Sequence, residues 1–182
     1  MPLFHDIPRA FSDTECDLLI ALGERAGMAP ATVWAGEGDV VNPAVRAAET
    51  SYHARSGETK WVYDRLDRLF VEAGDALGFA VAPVTEPLQI LRYSEGDHFQ
   101  TWHSDAGYDA RAARIVSVSV ELSPLGAHEG GDLEIMPETV GRARTLERGG
   151  ARFFRSHALH RVTPVTRGVR HALVIWTGGA QA

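Results

Sequence analysis

After Pro87 the hydrophobic pattern of the chain changes period, and no other feature constrains the fold as much. Upstream, Trp61, Val62, Leu66, Leu69, Phe70, Ala73 and Leu77 recur at intervals of three and four, which predicts an amphipathic helix over residues 60–77 stopped by Gly78. Downstream, short runs rich in β-branched and aromatic residues predict strands at 88–93, 99–105, 115–122, 132–136, 142–146, 151–154, 160–165 and 170–177. Gly96, Gly130-Gly131, Gly149-Gly150 and Gly168 mark the turns between them. Helices followed by many short strands predict a mainly β jelly roll, a double-stranded β-helix with the N-terminal helices buttressing one sheet.

The first third fits that plan. Residues 3–6 read as a short strand ended by Pro8, and Ser12-Asp13-Thr14-Glu15 has the form of a capping box. The helix it starts carries Cys16, Leu19, Ile20 and Gly23 on one stripe, with Gly27 at its end. From 29 to 57 the pattern is irregular, with short strands near 32–34 and 50–53, and reads as a substrate-binding loop or a connection. A chain of 182 residues accommodates one domain, with 1–87 as helical support and loop region and 88–178 as the jelly-roll core.

Composition removes several functions. Cys16 is the only cysteine, so an internal disulfide or a thiolate-rich metal site is excluded within one chain, and metal chemistry must use histidine and carboxylate. A net charge of −6 argues against nucleic acid or anionic membrane as a partner. No apolar run reaches a membrane span and the N-terminus lacks a signal pattern, which points to the cytoplasm. Arg142, Arg144, Arg148, Arg152, Arg155, Arg161, Arg167 and Arg170 make the last third basic; all but Arg170 are read as surface.

His103 and Asp105 are two apart, so on an extended strand both point the same way. With His160 they make two imidazoles and one carboxylate, the set that leaves open positions on non-haem Fe(II). His157 is the rival to His160; the position of His160 before Pro164 and Arg170 favours it. His5, His53, His98, His128 and His171 lack a ligand at a telling spacing and read as surface or hydrogen-bonded residues. In the segment 115–122, Val116, Val118, Val120 and Leu122 share one face while Ser117, Ser119 and Glu121 share the other, which meets either water or a polar cavity; the flanking segments favour the cavity. Arg170, Ala172, Val174 and Trp176 alternate with His171, Leu173 and Ile175 in the same way.

Taken in order, Leu88-Gln89-Ile90-Leu91-Arg92-Tyr93, Gly96, Phe99, His103-Ser104-Asp105, Glu129-Gly130-Gly131-Asp132-Leu133, the run from His160 to Arg170, and Trp176 resemble the Fe(II)- and 2-oxoglutarate-dependent dioxygenases, in their prolyl-4-hydroxylase-like branch. Arg46 and the segment from Trp61 to Leu66 resemble it too. The resemblance implies a cupin-like fold in which His103, Asp105 and His160 hold the iron. It implies that Arg170 pairs with the distal carboxylate of 2-oxoglutarate, that Tyr93 donates to the same cosubstrate, that Ser117 stands at a small-hydroxyl position and that Trp176 is an active-site aromatic. Glu129-Gly130-Gly131 reads as turn chemistry. One residue beyond the family spacing between Gly96 and His103 predicts a bulge around 98–101.

The activity so implied is hydroxylation of a C–H bond of an amino acid, a peptidyl residue such as prolyl, or a small metabolite. O₂ and 2-oxoglutarate are consumed, succinate and CO₂ are released, and ascorbate is a candidate accessory reductant. A monomer or homodimer acting on a small molecule or peptide is expected. The competing readings are a cupin-like metal isomerase or hydrolase and a non-catalytic ligand-binding jelly roll; an Arg170→Ala variant that kept its activity would favour the first.

Overall fold

The computed structural model describes residues 2–107, 110–141 and 146–180. Strand β1 (Phe4–Ile7) leads into helix α1 (Asp13–Ala26), whose capping box is complete: the Glu15 N–H donates to the Ser12 hydroxyl while the Glu15 carboxylate accepts from the Ser12 N–H. Short strands β2 (Ala29–Pro30), β3 (Val33–Trp34), β4 (Asp39–Val40) and β5 (Glu49–His53) precede helix α2 (Lys60–Leu77). Gly78 ends α2 in the left-handed conformation, as its sequence position suggested.

Then come β6 (Leu88–Tyr93), β7 (Phe99–His103), a 3₁₀ turn (Ala110–Ala113), β8 (Arg114–Glu121), β9 (His128–Gly130) and β10 (Leu133–Ile135). The chain closes with β11 (Ala151–Arg155), β12 (His160–Val162), β13 (Val165–Gly168) and β14 (Arg170–Gly178). A seven-stranded sheet runs β1-β11-β8-β14-β6-β5-β2, opposed by a three-stranded sheet β10-β12-β7 and the pair β13-β9; β3 and β4 form a separate hairpin. These are the two faces of the expected double-stranded β-helix.

The alternation in β8 and β14 explains how the sheets find their faces. Val116, Val118, Val120, Leu122, Leu173 and Ile175 point outward, where they pack against Leu19 of α1 and Val62, Leu66, Phe70 and Leu77 of α2. Each such side chain contributes about 1.5–3 kcal/mol on burial, so the helices are fixed to this sheet by apolar area. At the closest approach of α1 there is no room for a side chain, since a Cβ on Gly23 would lie 2.7 Å from Ile90 Cγ2. The opposite face of the same strands turns inward, and Ser117, Ser119 and Glu121 are buried there, Ser119 and Glu121 facing cavities and not solvent.

Three expectations need correction. The predicted strand at 160–165 is two strands, because Pro164 has no N–H to give and the chain changes partner there: β12 pairs with β7 and β10, β13 with β9. The strand β9, which pairs Gly130 with Val165, occupies a stretch read as a turn. Arg152 is not a surface residue: it is 2% exposed, with Nε and one terminal nitrogen on the two carboxylate oxygens of Asp6, at 2.7 and 2.8 Å. Most of the strand expected at 142–146 lies outside the described residues.

Candidate metal and cosubstrate site

The end of β7, the residues just after it and the start of β12 meet at one point. His103 pairs with His160 across the two strands, and the ligand atoms of His103, Asp105 and His160 all lie within 4.8 Å of one another. Strand β7 ends at His103, so Asp105 does not share a strand face with it. Its N–H turns instead to the Ser156 carbonyl at 2.9 Å, which swings the carboxylate under His160, with Oδ2 3.4 Å from Nε2. His157, the rival ligand, is exposed.

Both imidazoles are oriented by the backbone. Nδ1 of His103 donates to the Thr101 carbonyl at 2.8 Å and Nδ1 of His160 to the Ala158 carbonyl at 3.0 Å. A carbonyl only accepts, so each Nδ1 carries a proton and Nε2 is the ring atom left for the shared point. Burial, reinforced by His160, pushes His103 down to about 4, so the ring is neutral and ready to ligate. Burial raises the Asp105 carboxyl, but His160, His103 and hydrogen bonds from Trp176 and Ser117 together hold it below the usual carboxylate range. Two imidazoles and one ionised carboxylate on one side of a point fit Fe(II) with open positions opposite.

The expected bulge lies in β7: His160 pairs with His103 but Val162 pairs with Phe99, so two steps on one strand oppose four on the other. Tyr93, Arg170 and Trp176 come together around a cavity of about 70 Å³ inside the barrel, which His103, Asp105 and His160 also line. Ser117 stands elsewhere: its hydroxyl meets the Ser156 hydroxyl at 2.9 Å and supports Asp105, while Ser119 lines the cavity. Outside the metal point, a larger cavity of about 520 Å³ opens between the β3–β4 hairpin and the 3₁₀ turn, lined by Trp34, Arg46, Tyr52, Arg111 and Arg114 among others. Arg114 stacks over Trp176, its guanidinium carbon 3.9 Å from a ring centroid, and both its Nε and a terminal nitrogen reach Glu86.

The Gly130-Gly131 pair does more than turn the chain. Both have positive φ, and a Cβ would lie 2.3 Å from the Pro164 oxygen at Gly130 and 2.9 Å from Arg170 Cδ at Gly131. Sequence reasoning also passed over Glu121 and His128. Arg170 Nε donates to Glu121 Oε2 at 2.8 Å, and His128 Nε2 lies 3.7 Å from Glu121 Oε1. The polar alternation of β8 had placed Glu121 on the inner face, opposite the strand that carries Arg170; that was the available signal.

Fold and site together define a non-haem iron oxygenase architecture, and the chain belongs to the 2OG-Fe(II) oxygenase superfamily, whose model matches residues 88–178. A PKHD-type hydroxylase of Idiomarina loihiensis is 36% identical over 101 residues, covering 53% of this chain and 46% of that protein. Another, of Cupriavidus pinatubonensis, is 32% identical over 103 residues, with 53% and 45% covered. The chain thus spans about half the length of the curated relatives it matches. Among solved structures it is similar to a Pseudomonas putida prolyl-4-hydroxylase, with a TM-score of 0.76 at 18% identity, covering 98% of this chain and 94% of that one. The 2OG complex of a viral collagen prolyl hydroxylase from Paramecium Bursaria Chlorella virus-1 gives 0.70 at 21%, with 98% and 97% covered. At those identities the structural likeness concerns the fold.

Proposed function

We propose that the chain is an Fe(II)- and 2-oxoglutarate-dependent dioxygenase that hydroxylates a C–H bond of an amino acid or peptidyl residue. The observation that carries this reading is the single cavity that has His103, Asp105 and His160 at one end and the Arg170 guanidinium at the other. When bound, metal and cosubstrate supply the oxidising chemistry: one oxygen atom of O₂ goes to the substrate C–H, and the other is kept in succinate as CO₂ leaves.

The protein's share is binding, orientation and exclusion of water. His103 and His160 give Nε2 and Asp105 an ionised oxygen. Arg170 receives the distal carboxylate of 2-oxoglutarate, and Tyr93, whose ring lies 5.7 Å from the Arg170 guanidinium carbon, lines the same end. Leu91, Phe99, Leu133, Val162 and Val174 make the walls between those ends apolar, which keeps bulk water from the metal face. The substrate enters through the larger outer cavity. Arg46 lines both cavities, and its Nε is buried without a hydrogen-bond partner among the described residues, a donor ready for a substrate carbonyl or carboxylate.

Prolyl peptides are the first substrates to test. The relatives in sequence are PKHD-type hydroxylases, and one protein of the same fold is a Trichoplax adhaerens prolyl hydroxylase in complex with a peptide fragment. Anaerobic addition of Fe(II) and 2-oxoglutarate should give a weak visible charge-transfer band; a well-folded protein without one contradicts the proposal. Succinate release, screened over free amino acids and short peptides, then names the substrate class.

A further inference from the structure

The cation at the inner end of the cavity already has a carboxylate of its own. Arg170 and Glu121 are 6% and 7% exposed in their side chains, and Nε–H donates to Oε2 at 2.8 Å. Glu121 is itself held: Oε1 accepts the Ser123 N–H at 3.0 Å and faces His128 Nε2 at 3.7 Å. The other buried arginine nearby, Arg152, is taken by Asp6 and does not compensate Glu121. A site built only to grip a dicarboxylate would leave the arginine charge undiluted, whereas this one opposes it with a buried anion.

We propose that Glu121 is a positioning residue that also sets how tightly the cosubstrate's carboxylate is held. By fixing Nε it turns the remaining N–H edge of Arg170 to the cavity. By its charge it weakens the grip on the incoming carboxylate, so that the co-product leaves. The inference rests on the assignment of Arg170 to the distal carboxylate of 2-oxoglutarate. That carboxylate survives the reaction unchanged in succinate, so the effect falls on both ligands alike.

Glu121→Gln separates the two roles: its one amide oxygen still accepts from Nε while the charge is gone, and the contact given up is that of Oε1 with the Ser123 N–H. Calorimetric titration of 2-oxoglutarate and, separately, succinate into Mn(II)-loaded protein is the readout. Glu121→Gln should tighten both by a similar factor, on the order of tenfold, while Glu121→Ala, which frees the guanidinium, weakens both. Glu121→Asp keeps the charge and should tighten neither. A merely structural glutamate would lower the melting temperature in all three without tightening any ligand. Unchanged or weaker binding in Glu121→Gln, with wild type binding normally, overturns the inference alone. Wild-type affinity that is indifferent to Arg170→Ala overturns the Arg170 assignment, and this inference with it.

Discussion

Phe99 stacks on His103, ring centroids 3.6 Å apart and planes 15° from parallel, although they stand four positions apart in the chain. In a regular strand those side chains share a face but lie two pleats apart. The bulge in β7 closes that distance, and Phe99 in turn lies under Arg46, whose guanidinium carbon is 5.0 Å from the ring centroid. The ring therefore braces one of the proposed metal ligands. Phe99→Ala should weaken Fe(II) or Mn(II) binding on the order of tenfold while global stability falls much less than for a core phenylalanine. Metal affinity equal to wild type would mean that the Thr101 carbonyl alone orients His103.

Gly131 sets the position of Arg170. An alanine there must hold φ of +71° and place Cβ 2.9 Å from Arg170 Cδ and 3.0 Å from Val165 Cγ2. The matched control is Gly36→Ala, also at positive φ (+88°) but with nothing within 4 Å among the described residues. The control pays only backbone strain, about 1 kcal/mol. Gly131→Ala should cost roughly 1–3 kcal/mol more in chemical denaturation, and it should also weaken 2-oxoglutarate binding. Equal losses in the two variants would show that Arg170 adjusts freely.

How much of this could be read from the chain depends on how local each contact is. The alternation of Val116, Val118 and Val120 with Ser117, Ser119 and Glu121 was legible because period two is written in adjacent residues. The pairing of His103 with Asp105 was legible as a motif, although its reason was wrong: Asp105 reaches the site by leaving the strand. His128 looked isolated because its partner, Glu121, is brought back by the turn between β8 and β9, which the pattern does not encode. Arg152 looked like surface because Asp6, which buries its charge, comes from the far end of the chain. Glu86 and Arg114, which steady Trp176, are likewise joined only by the fold.

Trp176 offers a test of how Asp105 is kept ionised. Its side chain hydrogen-bonds to the Asp105 carboxylate, while its ring carries Arg114. Trp176→Phe retains a six-membered aromatic ring for Arg114 and removes the N–H with the rest of the five-membered ring. The Asp105 carboxyl then moves upward, and because metal and proton compete for it, the pH at which bound metal is lost should rise. A metal-retention curve that superimposes on wild type would assign the ionised state to His160, His103 and Ser117 without Trp176.

The Arg170–Glu121 pair predicts an acid limb in stability. Burial raises the Glu121 carboxyl, but Arg170, His128 and Ser123 outweigh it and bring the group from 4.5 to about 2. A carboxyl lowered by folding stabilises the protein above its unfolded value and stops doing so as the pH falls through its folded one. The gap between wild type and Glu121→Gln should therefore be full above about pH 4.5 and close towards pH 2, with a size on the order of 3 kcal/mol. Glutamine keeps the volume and one of the two acceptor oxygens, so the lost Ser123 contact adds a constant offset and the pH-dependent part of the gap reports the charge. Urea denaturation of both proteins across that range measures it. A gap that stays constant with pH would mean that the glutamate is not ionised in the folded protein, leaving Arg170 with its full charge towards the cavity.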